Sequence, residues 1–221
     1  MKYIDDETKV TKWYTKNLFY VCTIFIILVN IFAFGVGGSD WAPHRGDSEW
    51  NSVLNFKNLV ACFLNNYEHS NWQHCLLNSL CFLIAGSYVE RKIGTVNLFV
   101  LTLTLSFFCG CATNANSRGE SHGFSGVNYG IYAYIIIDYI FMFVYKKQTT
   151  TNVLYGAILL ALIYLATCFC GGTSTFTFTL YPYDLITNMG HYTSFLTAAI
   201  LSLLLQFVKW QTVRETPIKK K

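Results

Sequence analysis

Apolar residues in this chain gather into long, nearly unbroken runs instead of the narrow stripes of soluble helices. Six stretches approach the roughly 20 mostly apolar residues that a membrane-crossing helix needs, at about 17–36, 74–90, 95–112, 125–145, 152–171 and 189–209. The pattern therefore predicts an all-α, polytopic membrane protein with six transmembrane helices. The first run is long, has no clear small-residue cleavage site and is followed by further spans, so it reads as a retained helix, not a signal peptide. The expected organisation is a tail at 1–16, a six-helix membrane domain at 17–209 with a long first loop at about 37–73, and a basic tail at 210–221.

Composition agrees: 53% of the 221 residues are hydrophobic and only 13% are charged, against about a quarter in soluble domains. Intrinsic disorder is excluded by this hydrophobicity. The net charge of +4 is small, and the basic residues sit in short clusters between apolar runs, which argues against a nucleic-acid partner. Those clusters set orientation. Lys2, Lys9, Lys12, Lys16, Arg91, Lys92, Lys146, Lys147, Lys209, Arg214, Lys219, Lys220 and Lys221 all fall on one side, and only Arg45, Lys57 and Arg118 on the other. Cytoplasmic loops hold the Lys and Arg excess, so both termini are expected in the cytoplasm. Trp13 and Trp210 would then mark the inner interface, and Trp41, Trp50 and Trp72 the outer one. Of the eight cysteines, all but Cys62 lie in or beside apolar runs, where a thiol packs as a small hydrophobe. The C-x-C pairs Cys109/Cys111 and Cys168/Cys170 lack the spacing of zinc sites.

Polar groups at span ends or within spans are costly, and His74, Asn78, Ser125, Asp138 and His191 stand out. Spans 2, 4 and 6 all enter from the outer side, so His74, Ser125 and His191 lie at similar depth. Asn78 follows His74 by four residues and shares its helical face; Tyr129 stands in the same relation to Ser125. Ser125 sits in Ser121-His122-Gly123-Phe124-Ser125-Gly126, where glycines allow close backbone approach and a helix start leaves N–H groups free, a turn suited to an oxyanion. Gly126 and Gly130 on span 4, and Gly190, Ser194, Ala198 and Ser202 on span 6, form small-residue stripes. If the two stripes meet, Ser125 and His191 come near hydrogen-bond range, and a serine beside a histidine is an activated nucleophile. Each feature also has a plain reading. Ser125 and its glycines can be a packing element, His74 and Asn78 an interfacial hydrogen-bonding pair, and His191 a helix cap. Their joint placement on three helices favours one shared site. Asp138, about 20 Å deeper than Ser125 at the rise of a helix, is expected to be structural.

These residues resemble the rhomboid intramembrane serine proteases. The matching positions are His74-Cys75-Leu76-Leu77-Asn78 for an H-x-x-x-N, Gly123-Phe124-Ser125-Gly126 for a G-x-S-G, Gly190-His191, and the stretch from Gly86 to Gly94 containing Glu90-Arg91-Lys92-Ile93-Gly94. The resemblance runs from about Asn71 to Gln206. It implies a six-helix rhomboid-like bundle in which Ser125 is the nucleophile and His191 the general base. His74 and Asn78 would be side-chain oxyanion donors alongside the Ser125 N–H, and Gly123 would shape the turn. Tyr129 would pack on the His191 ring, and His69 matches a histidine often found there. It implies no cofactor or metal, an active site facing the extracytoplasmic side, and single-span or polytopic membrane proteins as substrates within the lipid bilayer.

The sequence departs from the family pattern in three places. No Trp-Arg pair occurs between Asn51 and Glu68, Lys92 replaces the arginine of a Glu-x-Arg, and Ser194 and Ala198 replace glycines on span 6. Lysine cannot reproduce the bidentate fork of arginine. The alternative within this frame is a catalytically inactive rhomboid-like protein that binds client transmembrane helices. Internal repeats of the kind found in transporters are not evident, and no H-E-x-x-H of a metalloprotease occurs.

Overall fold

In the computed structural model, which describes residues 20–37, 60, 62–115, 123–146, 158 and 189–215, every regular element among those residues is helical. The helices are α1 (Val21–Gly37), α2 (Trp72–Ile93), α3 (Thr95–Ala115), α4 (Ser125–Lys146) and α5 (Met189–Glu215), with a 3₁₀ turn at Asn65–Tyr67 before α2. These correspond to the first four and the last of the expected spans. The expected span 152–171, apart from Ile158, lies outside the described residues, as do the tail 1–16, most of the first loop, and Cys168 and Cys170.

Local chemistry sets the helix ends. Asn71 caps α2 in an extended conformation, its side chain accepting the His74 N–H at 2.8 Å. α2 stops at Gly94, whose φ of 86° suits glycine and whose N–H returns to the Glu90 carbonyl at 2.8 Å, so α3 begins one residue later. The Glu90 carboxylate is buried and accepts from the Cys22 N–H at 3.1 Å, the Thr23 N–H at 3.0 Å, the Thr23 hydroxyl at 2.6 Å and the Thr95 hydroxyl at 2.8 Å. A negative charge thus satisfies free donors at the start of α1, where the helix dipole favours it, and ties α1, α2 and α3 together.

Among the described helices α4 is the innermost. It packs on α2, α3 and α5, and Val127, Ile131, Ala133 and Ile135 are fully enclosed. The small-residue stripes do more than meet each other. A Cβ at Gly130 would strike the Leu105 side chain of α3, one at Gly190 would lie 2.5 Å from Thr113 Oγ1, and one at Gly126 would strike Cys109 Sγ while staying 3.8 Å from the Gly190 carbonyl. Space released by the glycines is therefore filled by α3 as well, and the site end of the bundle is a three-helix junction.

The described end of the first loop, just before α2, packs against α3. Cys62, expected outside the apolar runs, is fully buried, because Asn66 Nδ2 donates to the Cys62 carbonyl at 2.9 Å and to the Ser106 carbonyl of α3 at 2.9 Å. At the opposite end of the bundle Asp138 is buried. Gln206 Nε2 donates to it at 2.9 Å, Lys92 Nζ lies 3.4 Å away, and the Tyr88 hydroxyl reaches it at 3.5 Å. Lys92, lacking the fork of arginine, is thus used as a point charge on an acidic partner from α4. The described cysteines are free thiols.

Candidate active site

Three helix N-termini and the turn preceding α2 converge on Ser125. Gly123 has φ 122°, a conformation that L side chains rarely adopt, and its N–H donates to the Asn65 carbonyl at 3.4 Å. The next residue, Phe124, is buried against Phe82 and Tyr67, and its N–H donates to His69 Nε2 at 3.3 Å. Because Nε2 accepts, the proton of neutral His69 belongs on Nδ1, which lies 3.2 Å from the Tyr67 carbonyl and donates to it. Burial, followed by the nearby His74, holds the His69 pKa down at about 4 against the pull of that carbonyl, so the ring is neutral at ordinary pH. His69 is fully enclosed, edge-on to Phe34 and to His74. It thereby pins the turn that delivers Ser125 to the first loop.

Ser125 opens α4, and its Oγ lies 2.7 Å from His191 Nε2, in the first turn of α5. The Tyr129 ring, one turn along α4, stacks on the His191 imidazole at 4.4 Å between centroids and 17° between planes, restricting its rotation. His74 and Asn78 stand beside the Gly123 turn that leads into Ser125. His74 Nδ1 is 3.3 Å from Ser70 Oγ. A Cβ built on Gly123 would fall 3.0 Å from His74 Nε2 and 3.3 Å from Asn78 Nδ2. Both nitrogens therefore face the space that the absent side chain leaves open. A small cavity also opens beside Ser125 and His191, lined by Asn65, Asn66 and Thr113 among others.

All seven residues singled out by sequence, Ser125, His191, His74, Asn78, Gly123, Tyr129 and His69, occupy this one region. Asp138 lies at the far end of α4, away from it. Sequence reasoning does not single out Asn128, whose buried amide touches Asn78; an amide among the apolar residues at the start of α4 is the available signal. Among the described residues no group of three or more His, Cys, Asp and Glu side chains could hold a metal ion.

An all-helical bundle whose helix ends bring a serine, two histidines and an asparagine together defines a narrow class of protein. The chain belongs to the rhomboid family: the Rhomboid domain profile matches residues 57–207. It is similar to the protein named rhomboid protease GlpG of Yersinia enterocolitica, 26% identical over 121 residues, which cover 55% of this chain and 41% of that protein. The protein of the same name from Photorhabdus laumondii is 26% identical over 119 residues, 51% of this chain and 40% of its own length. The chain thus matches about two fifths of the length of these curated relatives.

Proposed function

We propose that this chain is an intramembrane serine endopeptidase that hydrolyses a peptide bond in or near the transmembrane segment of other membrane proteins. The observation that carries the proposal is the 2.7 Å contact between Ser125 Oγ and His191 Nε2, with two side-chain donors facing the same space. In this mechanism Ser125 Oγ attacks the scissile carbonyl while His191 Nε2 takes its proton. The developing oxyanion is stabilised by His74 Nε2, Asn78 Nδ2 and the Ser125 N–H at the positive end of α4. His191 then protonates the leaving amine, and the acyl-enzyme is released by a water that His191 deprotonates. Tyr129 keeps the imidazole in the plane this exchange needs.

Three features support placement in a bilayer as a six-helix bundle. α3 contains a segment, Thr95–Thr113, long and apolar enough to cross a membrane. Large apolar side chains point outward around the bundle, among them Phe32 at 71%, Val96 at 73% and Leu196 at 60% exposure, a surface that water penalises and lipid does not. The Lys and Arg distribution supports cytoplasmic termini with Ser125 toward the extracytoplasmic side.

The test is cleavage of a single-span membrane protein by purified chain in detergent, comparing wild type with Ser125→Ala and His191→Ala. Both variants should fold and cleave nothing, and a serine-directed fluorophosphonate should label wild type alone. Cleavage by Ser125→Ala at the wild-type rate refutes the proposal, and a folded wild type that neither cleaves nor labels supports the inactive, helix-binding alternative. Orientation is read separately: in a cysteine-depleted background, cysteines introduced at Asp47 or Thr175 should react with an impermeant thiol reagent from outside and one at Lys147 should not.

A further inference from the structure

One buried polar side chain that this chemistry leaves unused, and that touches a group the chemistry uses, is Asn128. It lies in the first turn of α4, three residues after Ser125, and is only 2% exposed. Its neighbours Val127, Ile131 and Ile135 show what simple packing places here, and burying an amide among them is costly; only its Nδ2 is paired, its Oδ1 being buried without a partner. Asn128 Nδ2 donates to the backbone carbonyl of Asn78 at 3.0 Å and lies 3.5 Å from Asn78 Oδ1.

That contact decides which way the Asn78 amide faces. With its oxygen toward the Asn128 amino group, its own amino group turns toward Gly123, where a Cβ would lie 3.3 Å from Asn78 Nδ2. Asn78 Nδ2 is buried there without a hydrogen-bond partner in the resting protein. A flipped amide would set two amino groups against each other at Asn128 and present an oxygen to the oxyanion, which repels it. An unsatisfied donor held in place before reaction is what stabilises charge that develops only in the transition state.

We propose that Asn128 is a positioning residue for peptide hydrolysis, holding the Asn78 side-chain amide with its donor end toward the oxyanion site and blocking the flipped orientation. This rests on the protease reading above. Asn128 does not touch the reacting atoms itself; it acts through Asn78.

The experiment is a double-mutant cycle on the purified full chain with a single-span membrane-protein substrate, measuring kcat, KM and thermal melting for wild type, Asn128→Leu, Asn78→Ala and the pair. Asn128→Leu should lower kcat about 10- to 100-fold with KM within about twofold of wild type. In the Asn78→Ala background the same change should cost no more than about twofold, since nothing remains to orient. Wild-type kcat in Asn128→Leu overturns the inference, as does an equal fold loss in both backgrounds, which would mark Asn128 as a packing residue. If Asn128→Leu does not fold, Asn128→Val, smaller and likewise without a donor, enters the same cycle with the same criterion. Cleavage abolished by Ser125→Ala but untouched by Asn128→Leu sinks this inference and leaves the protease reading standing. A wild type that cleaves nothing sinks both.

Discussion

Replacing Gly123 by alanine places a methyl group in the space where His74 and Asn78 converge. Two costs follow. At φ 122° an L side chain strains the backbone by about 1–3 kcal/mol. The new Cβ would also sit 2.8 Å from His74 Cε1. The ring must then retreat by roughly 0.7 Å to reach ordinary carbon contact. His69 stands edge-on 5.1 Å away and Ser70 Oγ is 3.3 Å from Nδ1, so the ring tilts and its Nε2 leaves the oxyanion position. Losing one such donor lowers kcat by about 10²- to 10³-fold. Gly123→Ala is therefore expected to melt earlier by an amount corresponding to about 1–3 kcal/mol and to cleave a single-span substrate at least about 100-fold more slowly. The double variant Gly123→Ala/His74→Ala, relieved of the collision, should regain part of its thermal stability and none of its turnover. Wild-type cleavage by Gly123→Ala, or recovered turnover in the double variant, would refute this account.

Two further predictions concern the scaffold. The His69 pKa lies at about 4 in the folded protein and near 6.5 in the unfolded chain, so between those values the unfolded state binds the extra proton. Stability should be full above pH 6.5 and fall as the pH drops toward 4, by roughly 3 kcal/mol in all, and melting of His69→Gln should lack that dependence. An unchanged pH profile in His69→Gln would remove His69 as the cause. Glu90→Ala strips four acceptor contacts from the start of α1 and from Thr95 and should destabilise by about 3 kcal/mol or more, whereas Thr23→Ala should cost about 1 kcal/mol. Thermal unfolding in detergent measures both, and equal melting of Glu90→Ala and wild type would show that the network carries no stability.

Lengths and spacing were enough to read the five helices that the described residues contain, because a long apolar run buries its backbone polar groups most readily by bonding them within one helix. The run at 17–36 became Val21–Gly37, and the run at 74–90 became Trp72–Ile93 because Asn71 and Gly94 supply its caps. The candidate site was legible for a related reason: His74, Ser125 and His191 each stand in the first turn of a helix, α2, α4 and α5, and helices that enter a bundle from the same end bring their first turns to one level whatever their lateral arrangement.

Lateral arrangement is what spacing cannot encode, since a helix face presents the same residues to any neighbour. Only the folded chain decides that α3 fills the room left by Gly126, Gly130 and Gly190, that Lys92 finds Asp138 on α4, and that Cys62 is enclosed although it lies outside the expected spans. The same holds for the inner side of the site. Asn78 is recognisable beside His74 at four-residue spacing, but its partner Asn128 lies 50 residues away, and the direction of an amide depends on which group meets its oxygen. By itself the sequence determined which residues stand at the helix starts that share one end of the bundle; the packing of α4 among its neighbours decided which way their polar atoms turn, because hydrogen-bond orientation is set by contacts across helices and not along them.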